Sequence, residues 1–120
     1  MAQFSSEERQ LLADTAEVHV EFKPGRRIPI WIAVDGPDVY VRSVRGPAGR
    51  WYQAVLSGKP VGLYAGNKHW QIRGEHVTDQ AEIARVSDAI RSKYEHRWRG
   101  PTAAMLRQEV LPTTLKLSIL

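Results

Sequence analysis

The run Ser43-Val44-Arg45-Gly46-Pro47-Ala48-Gly49-Arg50-Trp51 is the part of the chain best suited to holding an anion. Glycines let a backbone come close to a ligand, and N–H groups in a loop or at a helix start are free to donate. Arg42, Arg45 and Arg50 add guanidiniums that can meet a phosphate with charge-assisted hydrogen bonds. The alternative is a surface connection whose arginines point to solvent. The run matches neither a Walker nor a dinucleotide fingerprint.

A second basic pair, Arg26-Arg27, stands just before an apolar stretch that starts at Ile28. If Ile28–Val34 and Val39–Val44 are the two arms of one antiparallel hairpin, Ile28 falls beside Val44. Arg27 then approaches Ser43 and Arg45. Trp31 and Trp51 lie near the same end and could form the flat wall that a planar ring system needs. Core packing is the alternative for each. Trp70 and Trp98 read as structural.

Other chemistries lack their residues. The four histidines, His19, His69, His76 and His96, have no metal-ligand spacing. No serine sits in a G-x-S-x-G elbow. Asp35 and Asp38 belong to a turn, and Glu75 beside His76 is unremarkable. A binding site without an acid, base or nucleophile points to chemistry done by a bound cofactor, or to none.

The elements that must position these residues follow from periodicity. Ser5 and Glu8 fit a capping box at the start of a short helix that ends near Ala16. Val18, Val20 and Phe22 alternate with polar residues up to Lys23, as a half-buried strand requires. Pro24-Gly25 breaks that strand. The Ile28–Val34 strand follows, then the turn Asp35-Gly36-Pro37-Asp38, then Val39–Val44. Two helical turns are expected over Trp51–Ser57. Two more strands are expected, Pro60–Ala65 and Lys68–Val77, joined by Gly66-Asn67 and with a bulge at Gly74. Asp79 and Glu82 form a capping box for the longest helix, whose stripe is Ile83, Val86, Ile90 and Tyr94. Gly100-Pro101 ends it. A short helix from Ala103 to Glu109 and a last strand through Leu115, Leu117 and Ile119 complete the chain. The sum is one α+β, mainly β domain over residues 1–120. Six antiparallel strands hide their faces best as a small barrel.

Composition narrows the partners. The chain of 120 residues is 42% hydrophobic and 25% charged, and it contains no cysteine. Disulfides and thiolate-bound metal clusters are therefore excluded. Net charge is +4, yet Lys23 to Arg73 holds nine basic residues against two acidic ones, Asp35 and Asp38. That middle segment would attract a phosphate-bearing cofactor or another small anionic ligand. Nucleic acid ranks below these, because the arginines converge on one end of a hairpin and form no stripe. No metal is expected. No apolar run is long enough for a membrane helix, and the first ten residues do not fit a signal peptide, so a cytoplasmic location is expected. The small size suits a homodimer that covers one outer face.

Arg27-Ile28-Pro29-Ile30-Trp31, Val39-Tyr40-Val41-Arg42-Ser43-Val44, the Gly46–Gly49 loop and Trp51-Tyr52 together resemble the split β-barrel superfamily. That superfamily includes pyridoxamine-phosphate-oxidase-like flavoproteins and deazaflavin-dependent nitroreductases. Within it the chain looks like a bacterial domain-of-unknown-function family, from about Ser6 to Leu117. The resemblance implies FMN or a deazaflavin coenzyme as cofactor. It gives Arg27, Ser43, Arg45, Gly46, Gly49 and Arg50 the cofactor phosphate, with Trp51 marking the helix behind the loop. With Trp31 and Arg42 from the residue-level reading, nine residues form the expected site. The function expected is an oxidoreductase with hydride moved by the cofactor. The alternative is a non-catalytic module on the same fold that binds FMN, haem or a phosphorylated metabolite.

Overall fold

The computed structural model describes residues 2–120. In chain order its elements are α1 (Ser6–Asp14), β1 (Val18–Lys23), β2 (Arg26–Ile30), β3 (Ala33–Asp35), β4 (Asp38–Val41), α2 (Arg50–Leu56), β5 (Val61–Ala65), β6 (Lys68–His76), α3 (Gln80–Tyr94), α4 (Arg99–Met105) and β7 (Leu115–Ile119). Short 3-10 turns cover Gly46–Ala48 and Leu111–Thr113. The architecture is α+β: a curled antiparallel half-barrel of seven strands in the order β2-β1-β5-β6-β7-β4-β3.

The seventh strand comes from a break that hydropathy does not reveal. The stretch Ile28–Val34 was expected to be one strand, but it divides at Trp31-Ile32 into β2 and β3, which form opposite edges of the sheet. Backbone groups at the break are satisfied from α3. Ile32 N–H donates to the Tyr94 hydroxyl at 3.1 Å, and the Ile32 carbonyl accepts from Lys93 Nζ at 2.9 Å. With its peptide groups paired this way, Ile32 needs no neighbouring strand. The hairpin therefore has different partners from those expected. β2 pairs with β1, setting Ile28 opposite Val20, while β3 pairs with β4 across the Gly36-Pro37 turn.

Local signals explain most of the other elements. Ser5 Oγ accepts from Glu8 N–H and Glu8 reaches back to Ser5 N–H, which completes the capping box of α1. Asp79 caps α3 alone, accepting from Glu82 N–H at 3.0 Å. Glu82 does not close a second box, because its carboxylate instead accepts from the Tyr40 hydroxyl at 2.6 Å and pairs with Lys116 at 2.9 Å. Pro101 lies in the first turn of α4, where the missing N–H costs nothing. So Gly100-Pro101 opens a helix over Arg99–Met105, and the expected Ala103–Glu109 span is shifted.

Gly74 makes no bulge, since β6 stays in register with β7 from Ile72 to His76. A Cβ at Gly74 would meet Val55 Cγ1 at 2.6 Å, so glycine here lets α2 press against the sheet. The register shift falls instead between Glu21 and Lys23 in β1.

Two apolar clusters form the core. One fills the half-barrel with Val18, Val20, Val61, Leu63 and Leu115 around Trp51, Tyr52 and Val55 of α2. The other packs Ile83, Val86, Ile90 and Tyr94 of α3 against Ala33 and Tyr40. No helix among the described residues is long and apolar enough to cross a membrane.

Candidate functional site

A cleft of about 900 Å³ opens between edge strand β2 and the chain leaving β4. Arg26, Ile28, Pro29, Ile30 and Trp31 form one side, and Arg42 to Arg45 with Gly49 to Trp51 form the other. Trp98, Pro101 and Met105 line it as well, as does Glu17. Four arginines and one glutamate line it, a balance of +3.

Of the nine expected site residues, Trp31, Arg42, Ser43, Arg45, Gly49, Arg50 and Trp51 line this cleft, while Arg27 and Gly46 do not. The two sides meet because the sheet curls, and not through hairpin pairing. Arg27 is turned away by strand alternation, which gives neighbouring residues opposite faces. Its guanidinium lies 3.7 Å from the centre of the Tyr64 ring, and the Tyr64 hydroxyl donates to Glu21 at 2.7 Å. Arg26, one step earlier, reaches the cleft in its place. The pattern contains that signal: Arg26 shares a face with Ile28 and Ile30.

Arg42 is buried at 2% exposure, and its partners are all neutral oxygens. Nε donates to Thr114 Oγ1 at 2.8 Å, Nη1 to the Met105 carbonyl at 3.2 Å and Nη2 to the Ile83 carbonyl at 2.9 Å. Burial, with Arg91 nearby, pulls its pKa down to about 10, so it keeps its charge at neutral pH. The side chain ties β4 to α3, α4 and the start of β7, and it leaves a cation under the cleft with no carboxylate bonded to it.

The loop after β4 holds its own shape. Ser43 N–H donates to Thr113 Oγ1 at 3.0 Å, and Ser43 Oγ donates to the Gly46 carbonyl at 2.7 Å. Gly46 takes φ +74°, which favours glycine. A Cβ at Gly49 would lie 2.2 Å from Ser43 Oγ. Ser43, Gly46 and Gly49 thus brace the loop that presents Arg45 and Arg50, both of them exposed. The Gln53 side chain also donates to the Pro47 carbonyl. Helix α2 behind the loop has only seven residues.

The aromatic wall is larger than expected. Trp31 stacks on Tyr94 at 3.9 Å with planes 6° apart, and Trp98 lies 5.8 Å from Trp31. Arg97 lies over Trp98 at 4.5 Å. Burial pushes the Tyr94 hydroxyl up to about 12, opposed by its bond to Ile32 and aided by Glu17. Trp98, expected to be structural only, is half-buried and lines the cleft. Neither Trp98 nor Glu17 had a sequence signal, because the turn between α3 and α4 carries Trp98 there. Trp70 does sit apart as expected, with Nε1 donating to Glu8 at 2.7 Å. None of the four histidines lines the cleft, and the described residues contain no cluster of three or more metal-ligating side chains.

Several solved structures share the fold. A conserved hypothetical protein, Rv2991, from Mycobacterium tuberculosis aligns with a TM-score of 0.63 at 13% identity, over 98% of this chain and 80% of its own. A protein of Bacteroides thetaiotaomicron, provisionally described as a 5-nitroimidazole antibiotic resistance protein, aligns at 0.60 and 13% identity, over 99% and 82%. An FAD and heme binding protein from Mycobacterium smegmatis aligns at 0.53 and 19% identity, over 98% and 67%. Identities this low show the fold alone. Among curated proteins no sequence matches. The model of one family, described as an uncharacterized protein conserved in bacteria, matches residues 7–117, which is nearly the whole domain, and the chain therefore belongs to that family, DUF2255.

Proposed function

We propose that this protein binds a flavin or deazaflavin cofactor in the cleft and works as an oxidoreductase. The observation that carries this reading is the lining itself: three exposed arginines, a buried fourth and three tryptophans, with a single carboxylate. Arg26, Arg45 and Arg50 are exposed at the cleft and free to reach a phosphate. Arg42 adds a buried positive charge, and the protein interior screens it less than water would. Trp51, next to Arg50 in the lining, offers apolar surface for the ring. The volume of about 900 Å³ lies in the range of small-molecule sites.

A flavin, when bound, supplies hydride transfer, and the protein's share is orientation and charge. Such a transfer needs no acid or base from the chain, in keeping with a lining that lacks histidine. The FAD and heme binding neighbour and the nitroimidazole-resistance neighbour support the reading at the level of the fold.

The first of these also favours a second reading, a non-catalytic module that carries FMN, haem or a phosphorylated metabolite. Haem requires an axial ligand, and the cleft offers Met105 but no histidine. An absorbance spectrum of the purified protein, followed by titration with FMN, the deazaflavin coenzyme and haem, tests both readings. Micromolar binding of either flavin-type cofactor, with turnover of its reduced form by an electron acceptor, supports the first. Binding without turnover supports the second. No binding by any of the three overturns the first reading and leaves the second only its phosphorylated metabolite.

A further inference from the structure

Glu17 is the lone carboxylate of the cleft lining, and its place is defined by the β1–β2 ladder. Val18 pairs with Ile30, so Glu17 and Trp31 are each one step beyond that pair, on adjacent chains. Both line the cleft, and Trp98, also in the lining, lies 5.8 Å from Trp31. Arg26 lies at the opposite end of β2. Trp31 is five steps along the chain from it, a distance of roughly 16 Å at about 3.3 Å per step. β2 therefore carries an exposed arginine at one end, and at the other a carboxylate beside two indole rings, where Arg42 is buried against Met105 and Arg97 covers one face of Trp98. Among the described residues no hydrogen bond or ion pair engages the Glu17 carboxylate, and Glu17 is exposed.

A carboxylate can only accept hydrogen bonds, and the indole faces not covered by Tyr94 on Trp31 and by Arg97 on Trp98 attract cations. Together these groups select for positive charge, or for N–H donors on a flat ring, in a cleft that otherwise selects for anions. We propose that the Glu17–Trp31–Trp98 end is a substrate subsite for a planar aromatic ring bearing positive charge or N–H donors. The term substrate rests on the cofactor reading above, whereas the ring preference does not. The cofactor's anionic part belongs with the arginines, and Glu17 acts as a specificity determinant for the second ligand.

The probes are 1-methylnicotinamide, a cationic ring without a phosphate, and nicotinamide, the uncharged ring. Binding is followed by quenching of the intrinsic tryptophan fluorescence in wild type and Glu17→Gln and by isothermal titration in Trp31→Leu, with a thermal melt to confirm folding. The cation is expected to bind wild type at least threefold tighter than the neutral ring. That ratio is expected to fall to about one in Glu17→Gln, and in Trp31→Leu both rings are expected to weaken. A wild-type ratio of one, or a ratio that survives in Glu17→Gln, overturns the subsite. FMN titration of the same proteins reports separately on the cofactor reading. Loss of FMN binding with the ring ratio intact removes the cofactor and leaves the ring site standing.

Discussion

The Tyr94 hydroxyl accepts the Ile32 N–H at 3.1 Å and donates to the Ala16 carbonyl at 2.5 Å. One side chain of α3 thereby fixes the point where the chain leaves one sheet edge and starts the other. Its ring also backs Trp31 at 3.9 Å. The Tyr94→Phe substitution should leave the buried Ile32 N–H without an acceptor and cost about 1–3 kcal/mol. Urea denaturation measures this, and a change below about 0.5 kcal/mol would show that the bond does not hold the break.

The two adjacent arginines of β2 should behave differently. Arg26 lines the cleft and Arg27 stacks on Tyr64 outside it. Arg26→Ala, Arg45→Ala and Arg50→Ala should each weaken FMN binding by ~1.5–3 kcal/mol, the scale of a hydrogen bond to a charged group. Arg27→Ala should leave it within about twofold. Isothermal titration of the four variants decides the matter, and equal losses for Arg26 and Arg27 would contradict the alternation.

Gly49 and Ser43 should be energetically coupled. A methyl at Gly49 falls 2.2 Å from Ser43 Oγ, so the hydroxyl must leave the Gly46 carbonyl. Gly49→Ala should cost roughly 1–3 kcal/mol, as overpacking does. Ser43→Ala removes the obstructing oxygen, and the double variant should be more stable than the sum of the singles implies. Additive losses in a double-mutant cycle would mean that the clash is relieved elsewhere.

Lys93 should give stability a rising limb with pH. Burial pulls its pKa down to about 8 from 10.5, partly offset by Asp14. Between those values the unfolded chain holds a proton that the folded chain has lost, so stability increases with pH across the window. Tyr94 acts in the opposite sense. Its hydroxyl is pushed up to about 12 from 10.0, so the folded chain keeps a proton there and stability falls above pH 10. Chemical denaturation of wild type and Lys93→Met from pH 7 to 10 compares the slopes, and the variant should lose the rise.

Much of the fold was legible in the residues because its causes are local. Ser5 with Glu8, Asp79, the Ile83–Tyr94 stripe, the Gly36-Pro37 turn and the alternation of Val18 and Val20 all act over a few residues, and the structure contains each. The gathering of arginines near the Gly46–Gly49 loop was visible too, since charge and glycine are properties of the residues themselves. Other features depend on groups far apart in sequence. The break at Trp31-Ile32 exists because Lys93 and Tyr94, about sixty residues later, satisfy the Ile32 peptide groups. Period-two hydropathy has no means of registering a side chain that replaces a strand partner. Glu82 left its box for Tyr40, and Trp98 reached the cleft, for the same reason: a partner supplied by packing outcompetes a local one. The sequence by itself determined the elements, the turns and the basic character of the middle segment. Only the tertiary structure decided which arginine of the Arg26-Arg27 pair faces the cleft, and that a lone carboxylate stands at its aromatic end. Those outcomes depend on how the sheet curls and which edges are left open, and sheet curvature is set by contacts between distant segments.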